Sequence, residues 1–179
     1  MDIDSDIELV QRSVSGDARA FEHLVTRHYL TVYRISYKWC GVKQDAEDIA
    51  QEVFIKLARK LKTFRQKSSF TTWLYRIVIN TAKDFTRTCA TKRAYESAFA
   101  FEHGPENPGS LQANHHAAAR LYKELAKLPE KQRMAILLVL GEGLSHREAA
   151  RVLSCPEATV SWRIFQARKK LKKSLEHGR

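Results

Sequence analysis

The chain has 179 residues, 44% of them hydrophobic and 28% charged, a globular composition that suits one or two domains and excludes a disordered chain. Lysine and arginine number 31 against 20 acids, and the net charge of +11 with a pI near 9.7 is typical of nucleic-acid binding. The longest apolar run, Met134 to Leu140, is far shorter than the ~20 residues of a membrane span, and the acidic start lacks an export pattern, so we expect a cytoplasmic protein.

Basic and acidic residues are segregated along the chain. Residues 62–93 carry eight lysines and arginines against one acid, and residues 160–179 carry seven against one. The acids gather in residues 2–8 and 45–52. This separation indicates more than one kind of partner.

Periodic apolar residues predict helices in the first half of the chain. Apolar positions recur every three or four residues between Phe21 and Ile35, which predicts a long helix that starts at Asp17 and ends at Gly41. A second helix is predicted from about Gln44. Its apolar face consists of Ala46, Ile49, Val53 and Leu57. No segment alternates with the period of a strand, so the predicted fold class is all-α.

A third helix is predicted from about Ser69, within a segment that mixes aromatic and basic side chains. Aromatic rings stack on unpaired bases while cations follow the phosphates, so this mixture is typical of binding to single-stranded nucleic acid. Phe70 and Trp73 are expected to be core residues at least in part. The residues expected to face DNA are Tyr75, Arg76, Asn80 and Lys83.

Two prolines, Pro105 and Pro108, lie between glycines and mark the clearest linker signal in the chain. We therefore predict a first domain over residues 1–95, a flexible linker over 96–114 and a second domain over 115–179.

The second domain carries the pattern of a helix-turn-helix. A helix over Glu130 to Gly141 is followed by a short helix whose start is marked by Ser145 and Glu148, a capping box. A long basic helix begins just after Pro156. Ala150 and Val160 fit the small and branched core positions where the two helices of the motif cross.

In such a motif the N-terminal part of the second helix enters the major groove of DNA. The residues predicted near bases or phosphates are Glu157, Thr159, Ser161, Trp162, Arg163 and Gln166, and those predicted to neutralise the backbone begin with Arg168 and Lys169. An amphipathic helix with a solvated basic face is the alternative.

Three strings together resemble one family. SFTTWLYRIVINTAKDFTR (69–87) resembles regions 2.3–2.4 of the extracytoplasmic-function (ECF) sigma factors, small members of the bacterial sigma-70 family. DAEDIAQEVFIKLARKL (45–61) resembles their region 2.2, and residues 128–173 resemble their region 4. The resemblance implies two small helical domains, a sigma-2 bundle and a sigma-4 helix-turn-helix. It also implies binding to core RNA polymerase, with sigma-2 on the β′ clamp helices and the −10 element, and sigma-4 on the β flap and the −35 element.

The resemblance also implies roles for particular residues. The positions that match polymerase contacts are Asp48, Gln51, Glu52 and Phe54, although a solvated acidic helix face is the alternative. The loop that precedes the third helix matches one that captures a flipped −10 base. The implied −10 residues are Phe64, Arg65, Lys67, Ser68, Ser69, Tyr75, Arg76, Asn80, Lys83 and Arg87. Control by an anti-sigma factor, often membrane-anchored, is implied as well.

The recognition helix departs from many family members, which have arginines where this chain has Ser161 and Gln166. Arginine reads guanine and glutamine more often reads adenine, so we expect a different −35 sequence. Trp162 replaces a small residue, and contact with a thymine methyl, with sugar or with the β flap are all open at this point.

Other classes of function are weaker. A one-component helix-turn-helix regulator would account for the second domain but not for the aromatic and basic segment. His115 and His116 have no ligand cluster near them in sequence, and no phosphate loop or catalytic motif occurs, so neither an enzyme nor a cofactor is expected. The cysteines Cys40, Cys89 and Cys155 predict no disulfide or metal pair, and Cys155 is a weak candidate redox sensor.

Overall fold

The computed structural model describes residues 4–99, 121 and 124–176, with the backbone course alone for 90–99 and 175–176. Every regular element within these ranges is helical, which confirms the all-α prediction. Most of the predicted linker lies outside the described residues, as do His115 and His116.

The first helix, α1 (Asp6–Val14), was not predicted. Ser5 and Glu8 form a capping box: the Glu8 amide donates to Ser5 Oγ at 3.3 Å, and the Ser5 amide donates to Glu8 Oε2 at 2.6 Å. Leu9 and Val10 are buried against the next helix. The S-x-x-E signal was present in the sequence, but the acids around it favoured an interpretation as a charged segment.

Helix α2 (Ala18–Cys40) has the predicted ends. Asp17 caps its start by accepting from the amide of Ala20 at 3.1 Å. Gly41 ends it in the left-handed region, φ 75°, and donates to the carbonyl of Tyr37 at 2.8 Å. Helix α3 (Lys43–Lys60) packs on α2 through the predicted apolar face.

A 3-10 turn (Leu61–Thr63) and a loop over residues 64–69 lead into helix α4 (Phe70–Phe99). Ser69 caps α4, since its Oγ accepts from the amide of Thr72 at 3.2 Å. The helix continues past residue 95, so the predicted end of the first domain falls inside a regular element. Helices α1 to α4 form the first unit.

The second unit contains the predicted helix-turn-helix. Helix α5 (Glu130–Ile136) widens into a π-helical turn (Leu137–Gly141), and α6 (His146–Leu153) and α7 (Glu157–Glu176) follow. The capping box is confirmed, because the amide of Glu148 donates to Ser145 Oγ at 3.2 Å and the amide of Ser145 donates to Glu148 Oε2 at 2.8 Å. Ala150 and Val160 are buried where α6 crosses α7, as predicted.

The two units pack against each other, which the sequence did not predict. Helix α6 lies on α4, and the π-helical turn lies on α2. We call this contact the domain junction. It covers one side of α4, the helix that carries half of the residues predicted to bind the −10 strand.

Candidate nucleic-acid and protein interfaces

A groove of about 710 Å³ runs between α2 and α3, and we call it the acidic groove. Asp48, Gln51 and Phe54, three of the four predicted polymerase contacts, line it together. Tyr29, which the sequence analysis missed, forms part of the floor and stacks on Phe54 with ring centres 6.1 Å apart. Carboxylates above an apolar floor suit a basic amphipathic helix.

Glu52, the fourth predicted contact, does not line this groove. It faces the α4 side of α3 and lies 3.6 Å from Lys56 Nζ in an exposed pair along the helix. Lys56 is also 3.6 Å from Asp84 on α4. The structure therefore separates Glu52 from Asp48 and Gln51.

A second concavity, of about 470 Å³, lies along α4 and is called the α4 pocket. Its lining includes Trp73, Arg76 and Asn80, two of which were predicted to contact DNA. Lys56 and Lys60 of α3 also line it, together with Asp84, which lies 3.6 Å from Lys56. A half-buried aromatic ring beside an exposed amide and cations matches the chemistry needed to hold an unpaired base and its phosphate.

The loop before α4 has an aromatic base and a charged tip. Phe64 is half-buried, with its ring centre 5.8 Å from that of Phe70 and 5.2 Å from that of Trp73. Arg65 and Lys67 are exposed at the tip. Of the two predicted serines, Ser68 is half-buried and Ser69 is committed to capping α4.

Tyr75, which was predicted to face DNA, is buried in this arrangement of the units. The side chain is only 6% exposed, and burial raises the pKa of its phenol, with the nearby Glu142 carboxylate adding to the shift. The cause is the domain junction, which covers a face of α4 that would be open if the first unit stood alone.

Three cations on α4 that were predicted to bind DNA point at the second unit. Arg76 Nε donates to the carbonyl of Arg151 at 3.0 Å. Lys83 Nζ lies 2.9 Å from Glu130, and Arg87 lies 3.9 Å from the same carboxylate. In this arrangement these cations are engaged with protein oxygens.

Glu142 is the most enclosed charge of the domain junction, with a side chain that is 1% exposed. Arg34 Nη2 and Lys38 Nζ donate to its carboxylate at 2.6 and 2.7 Å, and Lys38 also donates to the carbonyl of Gly141 at 2.5 Å. The hydrogen bond to Glu142 raises the pKa of the Arg34 guanidinium. None of these residues was predicted, because they lie more than 100 positions apart in sequence.

A buried cation adds to this contact. The Arg133 guanidinium lies over the ring of Trp39, 3.7 Å from its centre, and burial lowers the Arg133 pKa. Such cation–π contacts favour retention of the charge where water is excluded.

The recognition helix, α7, divides into three kinds of position. The buried side carries Val160, Ile164 and Ala167. Trp162 is 58% exposed and Phe165, which the sequence analysis did not select, is 63% exposed. Glu157, Arg168 and Lys169 are also exposed, whereas Thr159 and Gln166 are half-buried.

Two predicted base-reading residues have partners within the protein. Ser161 Oγ lies 2.8 Å from Nδ1 of His146, at the start of α6. Arg163 Nη1 donates to the sulfur of Cys155 at 3.4 Å. Both side chains therefore lie on the flanks of α7 rather than at its outermost edge.

Within the described ranges, no group of three or more metal-binding side chains comes together. None of the helices in those ranges combines the length and apolarity required to cross a membrane.

Comparison with known proteins assigns both units. Residues 24–92 match the family model of sigma-70 region 2, and residues 118–171 match that of sigma-70 region 4. The chain is 36% identical to the RNA polymerase sigma-H factor of Pseudomonas aeruginosa, over 97% of this chain and 95% of that protein. It is 37% identical to the ECF RNA polymerase sigma-E factor of Escherichia coli K12, over 92% and 91%.

A solved structure agrees with this match. CnrH, solved in complex with the cytosolic domain of CnrY, is similar to this chain with a TM-score of 0.74 and 29% identity, over 97% of this chain and 99% of that one. The sigma factor RpoE of Bartonella quintana shares the fold, with a TM-score of 0.68 and 24% identity, over 90% and 100%.

The structure combines a helical unit that carries an acidic groove with a helix-turn-helix that carries a basic recognition helix. These features define a class of DNA-binding protein with a second surface suited to a basic protein partner. Together with these matches, they show that the chain belongs to the sigma-70 family and, within it, to the ECF sigma factors. It is therefore a non-enzymatic transcription initiation factor whose partners are core RNA polymerase and promoter DNA. The two alternative classes of function, a one-component regulator and an enzyme, do not account for sigma-70 matches in both units.

Proposed function

We propose that this sigma factor divides promoter recognition between its units in the bacterial cytoplasm. The sigma-2 domain, residues 1–95, binds the β′ clamp helices and melts the −10 element. The sigma-4 domain, residues 115–179, binds the β flap and reads the −35 element. The observation that carries the two roles of sigma-2 is that the acidic groove and the α4 pocket are separate surfaces of one unit, the first lined by carboxylates and the second by three cations and Asp84.

The acidic groove is the proposed clamp-helix site. Asp48 and Gln51 supply polar contacts at its rim, and Phe54 supplies apolar area beside Tyr29. A basic helix from the polymerase complements this surface in both charge and shape, whereas nucleic acid would be repelled by it.

The α4 pocket and the loop over residues 64–69 are the proposed −10 site. Asn80 offers a donor and an acceptor to a flipped base, while the exposed Arg65 and Lys67 follow the strand. Extrusion of a base costs a few kcal/mol of stacking, which stacking on an aromatic ring and pocket hydrogen bonds offset.

An anti-sigma factor, with a membrane anchor, is the proposed regulator. Support comes from the family resemblance and from CnrH, which is bound to the cytosolic domain of a second protein. A partner that holds the two units together would keep Arg76 bonded to α6 and Lys83 paired with Glu130 on α5.

Run-off transcription tests whether the protein directs polymerase to promoters with separate −10 and −35 elements. Core RNA polymerase with this protein is given templates in which both promoter elements are randomised, and the transcripts are sequenced. Enrichment of two separated elements is expected. Polymerase binding without transcription would contradict the proposal, and so would specific binding of the free protein to duplex DNA without polymerase.

The acidic groove is tested by Asp48→Lys. Reversal of a charge at the rim of a polar interface is expected to weaken core binding on the order of tenfold, measured by fluorescence anisotropy. Glu22→Lys is the matched control, because Glu22 is exposed on α2 but does not line the groove. Equal binding by both variants would overturn the assignment of the groove.

A further inference from the structure

The outermost face of the recognition helix is apolar where it should read DNA. Val160, Ile164 and Ala167 are buried, and the opposite side of the helix presents Trp162 and Phe165. These two residues are three positions apart, so they lie on one face of the helix. Two large rings this exposed, on an otherwise charged helix, mark a contact surface.

Two polar side chains beside these rings, Ser161 and Arg163, are less available for contacts with bases. Ser161 is hydrogen-bonded to His146 on one flank, and Arg163 contacts the sulfur of Cys155 on the other. In a helix that enters the major groove along its outward face, the aromatic rings would reach base edges first.

We propose that Trp162 and Phe165 determine −35 specificity by contacting thymine C5-methyl groups. The thymine methyl is the one apolar group on the base edges of the major groove, so an apolar reading surface selects it. The inference rests on the proposed function of the second unit and names the base that this unit reads.

Charge complementarity identifies DNA, rather than another protein, as the occupant of this surface. Arg168, Lys169 and Lys170 follow on the same helix and are exposed. These cations attract the phosphates of DNA, so the two aromatic rings would lie next to the DNA backbone. The same cations would repel a basic protein partner.

The spacing of the two rings sets the expected sequence. Three residues of α-helix rise about 4.5 Å, which is close to the rise of ~3.4 Å between base pairs. The two rings therefore contact methyl groups on neighbouring base pairs. We expect the −35 element to contain two adjacent A·T pairs at the centre of the contact.

Deoxyuridine provides the test, because it differs from thymidine only by the missing methyl group. The −35 element is first obtained from the randomised library, and its thymines are then replaced one at a time by deoxyuridine while the −10 element is kept unchanged. Binding of the holoenzyme and its run-off yield are measured with wild-type protein, Trp162→Ala and Phe165→Ala.

With wild-type protein, deoxyuridine at two neighbouring positions is expected to weaken binding about fourfold each, the effect of one buried methyl. Each alanine variant is expected to lose sensitivity to one of the two methyl groups and to retain sensitivity to the other. Lys170→Ala is the matched control, since loss of a phosphate contact weakens binding to thymine and deoxyuridine templates equally.

Two outcomes would overturn the inference. One is a −35 element whose thymines can all be replaced by deoxyuridine without loss. The other is an alanine variant that weakens binding to core polymerase itself, which would assign the rings to the β flap. Failure of the library to enrich any −35 element would instead contradict the proposed function, so the two failures are distinguishable.

Discussion

Glu142 is expected to stabilise the closed arrangement, in which the two units are packed together. The side chain is 1% exposed, and two cations from α2 donate to it. Glu142→Gln keeps the shape of the side chain, removes its charge and leaves the cations with a neutral acceptor. We expect the equilibrium between closed and separated units to shift toward separation.

The magnitude follows from how exposed the partners are. Arg34 is 54% exposed, so its pair with Glu142 contributes about 0.5 kcal/mol after solvent screening. Lys38 is 20% exposed and keeps its bond to Gly141, so loss of its charged acceptor costs about 1.5 kcal/mol. The sum of about 2 kcal/mol corresponds to about a 30-fold change in the equilibrium constant.

Single-molecule energy transfer measures this equilibrium. Dyes are attached at Glu22→Cys on α2 and Lys170→Cys on α7, in a protein whose natural cysteines are replaced by serine. Glu142→Gln is expected to lower the fraction of high-transfer molecules. Added salt is expected to lower this fraction in the wild type more than in the variant, because the wild type has more charge to screen.

Glu47→Gln is the control, since Glu47 pairs with Lys43 on its own helix in an exposed contact away from the domain junction. Equal transfer in Glu142→Gln and wild type, at all salt concentrations, would refute the argument. Low transfer in the wild type itself would show that these ion pairs do not hold the units together.

Two further predictions concern the start of α6. Ser145→Ala removes the cap of the helix and is expected to lower the free energy of unfolding by about 1 kcal/mol, measured by thermal denaturation, whereas Ser145→Asp retains it. The hydrogen bonds from Ser145 lower the pKa of Glu148, so the stabilisation is present above the unfolded value of 4.5 and is lost as the pH falls through the lower folded value. The melting temperature of Glu148→Gln is therefore expected to converge with that of wild type on acidification, and a constant difference between pH 7 and pH 3 would contradict this.

Local signals account for the parts of the fold that the sequence predicted. Asp17 and Gly41 set the ends of α2 through their own backbone hydrogen bonds, and Ser145 with Glu148 does the same for α6. These interactions join residues within four positions, so they can be read without knowledge of the rest of the molecule.

Most features that the sequence did not predict arise from contacts between distant segments. Tyr75 was assigned to DNA from the mixture of aromatic and basic side chains around it, whereas the structure buries it on a helix that packs on both the first unit and α6. The pair of Arg34 and Glu142 spans 108 positions, and no local pattern indicates it. Phe165 was not selected from the sequence, and its exposure beside Trp162 is visible only in the structure.

The domain junction and promoter DNA would compete for the same cations. Arg76 and Lys83 now donate to oxygens of the second unit, and as −10 residues they would donate to phosphates instead. A protein whose binding-competent state is only partly populated binds with its affinity reduced by that fraction.

Release of the junction by Glu142→Gln is therefore expected to raise the affinity of the free protein for a −10 single strand. The increase is expected to reach at most the 30-fold estimated above from the ion pairs. Measurement of that affinity in Glu142→Gln and Glu47→Gln would separate this competition from a general effect of charge, because both variants lose one carboxylate and only the first opens the junction.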